Sequence, residues 1–573
     1  MNPATAAPLR PSRRTVLLGG LGVAASVPLV GLSPAQAESA VTISDLVLQV
    51  GSDETSRSLS WLCTEDAEEY VQYAEAADLV DDVFPSSAVS VAATRGAANT
   101  SGEYYQHATV SNLSADTDYV YRVGSDSAGW SETYSFSTAP VSSSFSFFFV
   151  GDPQIGASGD ASSDGEGWAA TMALAESEYP DAQFVLTGGD QVETAASEEQ
   201  YSYFLAPEQL TTIPLATALG NHDYGSLAYQ QHFNMPNVSD GYGAASSESQ
   251  SGGNAWFRYQ HTLFITLNTN NSDTDEHIEY VRQIMADQSD ATWTVVNFHH
   301  SVFSVASHAF DSQIVTYREV LPPAFSELGV DLVLMGHDHH FTRSYLMNGV
   351  DVSAAESAGT VSGTVVPEEG DVLYLTANSS SGSKYYSDNS RISECYWAEV
   401  SDQQSHPNFT YVTMAEDTIT LETYDTTTNT LVDQVVLAPT SDTDDGDDGG
   451  DDSGDDTGDD GGDDTGSGST TRKLRTKTRM VLSKHRQVRH RRPARAKITV
   501  RVPGSTKVPR GRVKVFDGHR LVKVATLRKG HAVVTLPDGL SVGQHRLHAV
   551  FVANDRFRRS VSGVSRLKVR RRR

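Results

Sequence analysis

The spacing of apolar residues changes character along the chain, and each change marks a different kind of segment. Between 41 and 139, apolar and polar positions alternate in short stretches (41–50, 57–63, 70–73, 104–110, 118–123 and 132–137) separated by turn residues. A period of two predicts β-strands, and no strong helical period interrupts them. Between 145 and 438, continuous apolar runs at 145–150, 184–186, 294–297 and 331–335 alternate with helical periods near 166–179, 275–288 and 312–328. Hairpin patterns around 256–268 and 371–377 add antiparallel strands, so this segment predicts a mixed α/β sheet domain. From about 496 the two-residue period returns at 496–502, 512–516, 521–526, 532–536, 544–552 and 564–569. The expected fold is multidomain: an N-terminal β-sandwich at 41–139, a central α/β domain at 145–438 and a C-terminal β-sandwich within 471–573.

Composition rules out several classes at once. With 38% hydrophobic residues in 573, the chain can build sizeable cores, which excludes a wholly disordered, collagen-like or disulfide-scaffold protein. Net charge is -30, but its distribution says more. Residues 471–573 hold 31 Lys and Arg against three carboxylates (Asp517, Asp538, Asp555), a net of +28. Residues 1–470 hold 12 basic and 70 acidic residues. Segment 441–470 contains only Ser, Thr, Asp and Gly, with 13 Asp, and so predicts a disordered linker with no apolar surface to bury. A net of +28 exceeds an ordinary solvated face and points to an anionic polymer; outside a bacterium that is the cell wall, and nucleic acid is not an expected partner. Cys63 and Cys395 are the only cysteines, leaving open a disulfide or two buried thiols.

Residues 1–37 read as a targeting segment. Ser12-Arg13-Arg14-Thr15-Val16-Leu17-Leu18 resembles the twin-arginine export consensus, an apolar run continues to Val30, and Ala35-Gln36-Ala37 matches a small-x-small cleavage site. No other stretch approaches about 18 consecutive apolar residues, so the mature chain is expected to be secreted or wall-associated without spanning a membrane.

Chemistry concentrates in five short motifs, each after a predicted strand: Phe149-Val-Gly-Asp152-Pro-Gln154, Thr187-Gly-Gly-Asp190-Gln-Val-Glu193, Gly220-Asn221-His222-Asp223, Phe298-His299-His300-Ser301 and Gly336-His337-Asp338-His339. Taken singly, a Gly-Asp pair or a His at a strand end is commonly a turn or a satisfied hydrogen-bonding residue. Carboxylates, an amide and imidazoles converging on one sheet edge are what two hard cations need.

In that order the motifs resemble the calcineurin-like metallophosphoesterase superfamily, whose pattern is D-x-H, GDxxD, GNH[DE], H and GHxH. The N-terminal segment is similar to a fibronectin type III domain. Leu113-Ser-Ala-Asp-Thr-Asp-Tyr119-Val-Tyr121-Arg-Val123 looks like its tyrosine corner, with Trp61 as core, and this arrangement matches the purple acid phosphatase branch. Gly511-Arg-Val-Lys-Val-Phe-Asp-Gly, Ala532-Val-Val-Thr-Leu-Pro and Gly543-Gln-His-Arg-Leu-His-Ala-Val-Phe resemble a bacterial Ig-like repeat.

The resemblance implies an αββα central domain and two divalent or trivalent metal ions (Fe, Zn or Mn). One ion is expected on Asp152, Asp190 and His339, with Gln154 as a weaker donor in place of the family His. The other is expected on Asp190, Asn221, His299 and His337. His222 is the implied catalytic histidine, Asp223 and Glu193 join it in the catalytic group, and His308, Asn221 and His222 are expected to face substrate. Glu193 stands where the purple branch has its colour-giving Tyr; no purple absorption is expected, and Glu193 is expected to hydrogen-bond His222. His300, His340, His232 and His261 are read as structural, as is Arg343. The implied activity is hydrolysis of a small phosphate monoester. A phosphodiesterase and a catalytically decayed surface-binding protein are the alternatives.

Overall fold

The computed structural model describes residues 42–438 except 81–82, 99–100 and 354–362, and residues 476–571 except 490, 492, 503–506, 518–519, 552–555, 558–559 and 563–564. The targeting segment 1–37 and the Asp-rich segment 441–470 lie outside the described residues.

Five strands carry the motifs: β1 (Ser144–Val150), β2 (Val185–Thr187), β3 (Leu215–Ala216), β4 (Trp293–Phe298) and β5 (Leu332–Met335). They belong to two facing sheets. In the first, β1, β2 and β3 run parallel, with Asn408–Ala415, Ile419–Asp425 and Thr430–Leu437 continuing antiparallel beyond β1. In the second, β4 and β5 run parallel beside Thr262–Leu267 and Leu373–Thr376, with antiparallel Ala255–Tyr259 and Phe341–Ser344 outside them. Strand β3 is short: Pro214 before it has no N–H to donate, and beyond Ala216 only the Ala218 N–H still reaches the Thr187 carbonyl of β2.

Continuous apolar runs are what a strand needs when both of its faces are covered. Phe147, Phe149, Phe184, Leu186, Val295, Leu334 and Val412 fill the space between the two sheets. Trp168 and Met172 from helix Ala161–Glu178, with Phe204 from Glu198–Phe204, cover the outer face of the first sheet. Tyr280 from Thr274–Asp287 and Tyr317, Leu321 and Phe325 from Ser312–Leu328 cover the second. The layers are therefore helix, sheet, sheet, helix. Asp160 and Asp273 start two of these helices by accepting the N–H of Ser163 and Glu276, and left-handed Gly329 ends the third.

The N-terminal domain packs two sheets around Leu48, Leu59, Trp61, Val71, Tyr121 and Phe136. The Ser114 N–H donates to the Tyr119 hydroxyl at 2.8 Å, the corner read from the sequence. One of its sheets joins the first central-domain sheet edge to edge, since Ile43–Val50 pairs parallel with β3 through Gln49 and Leu215. Cys63 and Cys395 are separate buried thiols.

The basic segment also forms two sheets around one core of Met480, Ile498, Val500, Val515, Leu547 and Phe551. Strand Lys477–Leu482 alternates exposed Lys477 and Arg479 with buried Thr478, Met480 and Leu482. Exposed Lys477 lies directly opposite exposed Arg501, a like-charge pairing that a sheet ordinarily avoids.

Candidate metal centre

All five motifs emerge at the carboxyl ends of parallel strands, so the two sheets deliver their side chains to one edge. Glycines make the approach possible. A Cβ on Gly336 would lie 2.7 Å from Asp152 Oδ2, one on Gly189 2.7 Å from His299 Nδ1, and one on Gly220 2.0 Å from Asp190 Oδ1. Asp152, Gln154, Asp190, His337 and His339 all have positive φ (26°, 33°, 51°, 75° and 41°). Such backbone costs on the order of 1–3 kcal/mol per residue and persists where surrounding bonds over-determine it. Here the Gln154 N–H donates to the Asp190 carbonyl, Glu193 N–H to Ile155, and the His337 N–H to the Asp152 carboxylate at 2.8 and 3.0 Å.

The centre forms around His299, which is fully buried. Its Nδ1 lies 2.9 Å from the Gly188 carbonyl, so Nδ1 carries the proton and Nε2 presents a lone pair. That lone pair faces Asn221 Oδ1 at 2.9 Å, His337 Nδ1 at 3.1 Å and Asp190 Oδ2 at 3.2 Å. Four lone-pair donors pointing at one another call for a positive charge between them. Burial lowers the His299 imidazole, yet Asp190 and Asp152 more than reverse this and bring it up to about 9. A metal ion supplies the same charge.

Most of the remaining groups are held in metal-ligating form; Asp152 is the exception, pushed well above its usual value by burial with Asp190 adding to it, and a cation beside it would reverse that. Burial pushes His339 down to about 3 and His337 well below its usual value, leaving neutral imidazoles. His339 Nδ1 is satisfied by the Lys384 carbonyl at 3.1 Å, which frees Nε2. Burial would raise Asp190, but His299 and His222 hold it down to about 2, so it is a carboxylate. Ligand atoms of Asp152, Asp190 and His299 lie within 4.8 Å of one another. Gln154 Oε1 is buried with no hydrogen-bond partner, an orphan acceptor of the kind a cation would satisfy. The residues present therefore fit metal ions.

Around this cluster, two sequence expectations change. The Glu193 carboxylate does not hydrogen-bond His222; its Oε2 stands 3.5 Å from Nδ1, and the Glu193 main-chain carbonyl takes that nitrogen at 2.9 Å. Glu193 Oε2 instead accepts from Gln154 Nε2 at 2.6 Å, so the two departures from the family pattern touch each other. Asp223 is fully buried beneath the loop, where its oxygens accept the N–H groups of Gln191, Val192 and Gly220. It positions the Asn221-His222 turn and does not face the centre.

His222 is 29% exposed, with its N–H on Asp190 Oδ1 at 2.8 Å. His308 stands 4.5 Å ring to ring from His337, with Nδ1 on Asp311 and its N–H on Asp338. The histidines read as structural lie apart from the ligand set or turn away from it: His300 Nδ1 is on Thr269 and His340 Nε2 on Asp388. Arg343 is buried between Glu399 and Asp433. Motif reading passed over Lys384 and Tyr386, whose ring lies 5.1 Å from His308 and 5.2 Å from His339.

Comparison with known proteins agrees with this geometry. Residues 43–138 match the model of the purple acid phosphatase N-terminal domain, and residues 145–341 match that of the calcineurin-like phosphoesterases. The uncharacterized proteins MT2654 and Rv2577 of two Mycobacterium tuberculosis strains are each 27% identical over 281 residues, 42% of this chain and 51% of theirs. The chain thus spans about half the length of these curated relatives. In fold it is similar to purple acid phosphatase PPD1 from yellow lupin (Lupinus luteus) seeds, with a TM-score of 0.55 at 16% identity, covering 69% of this chain and 74% of that one.

Proposed function

We propose that this protein is a secreted dinuclear-metal phosphoesterase that hydrolyses small phosphate monoesters. The observation that carries the reading is the convergence of lone-pair donors from Asp190, Asn221, His299 and His337 at one sheet edge. Asp190 would bridge two ions, with Asp152, Gln154 and His339 on one side and Asn221, His299 and His337 on the other. Held by these residues, metal ions would supply the Lewis acidity that activates a water and the charge that neutralises phosphate oxygens.

The chain's own residues supply the rest. His222 donates Nδ1–H to a carbonyl, so its Nε2 would give a proton to the departing alcohol oxygen only from the doubly protonated imidazolium, with the Glu193 carboxylate 3.5 Å from Nδ1. His308, tied to Asp311 and Asp338, stands where it can meet the substrate. Residues 38–440 carry a net of -48, which repels polyanions and favours small esters. Export by the twin-arginine route and retention on anionic wall polymer by the basic, Ig-like C-terminal sandwich belong to the same proposal; a high-salt wash that leaves the protein on cells would remove the electrostatic part of it.

The test is turnover of p-nitrophenyl phosphate beside bis(p-nitrophenyl) phosphate by the full chain loaded with iron, zinc or manganese, with Asp190→Asn as control. Monoester preference abolished by Asp190→Asn is expected. Diester preference would replace monoesterase by phosphodiesterase, and silence on both would remove the hydrolase reading.

A further inference from the structure

Lys384 is the only lysine before Lys473, in a stretch rich in carboxylates. Of the eight arginines between 38 and 440, five are paired with carboxylates. Arg57, Arg122 and Arg318 are taken by carbonyls, an amide oxygen or aromatic rings. Lys384 also has an aromatic partner, Tyr386, but among the described residues it is the lysine or arginine whose charge acts on Asp190 and Glu193 of the metal centre.

Its placement is rigid. Ser381 Oγ and Ser383 Oγ donate to the Pro153 carbonyl at 2.5 and 3.2 Å, fastening the segment to the Asp152–Gln154 turn. The Lys384 carbonyl takes His339 Nδ1, fastening it to the opposite sheet. The half-buried ammonium stands 5.2 Å from the centroid of the Tyr386 ring, and its charge acts on Glu193 and Asp190. It has no carboxylate within ion-pair distance among the described residues. A solvated surface lysine needs none of this anchoring.

The geometry points to Lys384 as an anion-gripping residue that holds a terminal phosphate oxygen at the mouth of the centre and so selects monoesters over diesters. The inference rests on the phosphoesterase reading and deepens it. A phosphate monoester offers three terminal oxygens and about two negative charges, so one oxygen remains for Lys384 after two face the ions. A diester offers two terminal oxygens and one charge, and none remains. Ammonium–phosphate hydrogen bonds are charge-assisted, and losing one costs about tenfold to a hundredfold in affinity.

The experiment measures inorganic phosphate binding by calorimetry and both p-nitrophenyl esters by steady-state kinetics, on full-length wild type, Lys384→Met and Lys384→Arg of equal metal content. Lys384→Met is expected to weaken phosphate binding and raise KM for the monoester by about tenfold to a hundredfold, with diester kcat/KM within about twofold, and Lys384→Arg to recover most of the loss. Unchanged phosphate affinity in Lys384→Met, equal losses on both esters, or a wild type that binds no phosphate would overturn the proposal. Wild type silent on esters, yet binding phosphate through Lys384, would remove the hydrolase reading and with it the ester selection, leaving only the anion grip.

Discussion

Gly220→Ala is the smallest change that tests where Asp190 must be. The added Cβ would lie 2.0 Å from Asp190 Oδ1 and 2.2 Å from Asp190 N, against about 3.4 Å for an ordinary contact. Asp190 must therefore retreat by about 1.4 Å, more than the roughly 1 Å misplacement that already costs a site about a hundredfold. Turning the side chain cannot relieve the contact, because one offending atom is backbone nitrogen. The same retreat breaks the His222 N–H bond to Asp190 Oδ1 and strains that of Gly220 N–H to Asp223. Gly220 is not among the positive-φ residues, so the methyl group is the whole perturbation.

The expected outcome is a fall of about a hundredfold or more in kcat/KM, together with lost metal measured by elemental analysis and a melting temperature lowered by overpacking of about 1–3 kcal/mol. Gly225→Ala, five residues along, is the control: its nearest neighbour is the Ala195 Cβ at 3.4 Å, and it should be silent in all three assays. Wild-type metal content and turnover in Gly220→Ala would refute the placement of Asp190. Equal damage in Gly225→Ala would show that the loop is fragile for another reason.

Three further outcomes follow from single contacts. Iron-loaded protein should show no visible tyrosinate absorption, since Glu193 replaces the family Tyr and is held by Gln154; a purple solution would mean another phenolate reaches the metal. Burial, with Glu103 and Glu198 adding to it against His232, pushes the Asp45 carboxyl up to about 6. As pH rises above about 4 the unfolded chain ionises first, so the folded state is penalised increasingly until about pH 6. Asp45→Asn, which also suits the left-handed backbone there, should raise stability by about 1–2 kcal/mol at pH 7.5 in denaturant melts and by nothing near pH 3.5. Gly329→Ala places a Cβ in open space at φ 85°, so only the dihedral is strained; a loss of about 1 kcal/mol with unchanged kcat/KM is expected.

Where the sequence was readable, a single physical rule controlled the outcome. Helices at 275–288 and 312–328 were legible because one apolar stripe faces a sheet; the structure has them at Thr274–Asp287 and Ser312–Leu328. The motifs were legible because Gly-Asp and Gly-His at strand ends are the residue types that tolerate tight, left-handed backbone. Pairing across the molecule was not. Ile419–Asp425 alternates buried and partly buried residues, but its buried face includes polar Thr423 and Asp425 beside Ile419 and Leu421, so the amphipathic signal is weak. Lys384 lies in a Ser-rich loop with no motif, and only its charge against that of its surroundings distinguishes it.

Gln154 is the position where the family pattern and this chain disagree most, and its backbone argues against a decayed site. Asp and His gain local hydrogen bonds at positive φ, whereas Gln has no such compensation, so φ 33° at Gln154 must be maintained from outside. Its N–H is held by the Asp190 carbonyl, its amide by Glu193, and the following Ile155 by Gln191 and Val192 across an isolated parallel bridge. That constraint leaves Oε1 buried and unbonded, a cost of about 1–3 kcal/mol that a relaxed turn would escape. Among the described residues that acceptor meets no donor, as it would if a cation were its partner. Gln154→Leu, which fills the space but removes the oxygen, should therefore lose metal affinity while gaining stability in the metal-free protein, and losing both would show that the amide only props the turn.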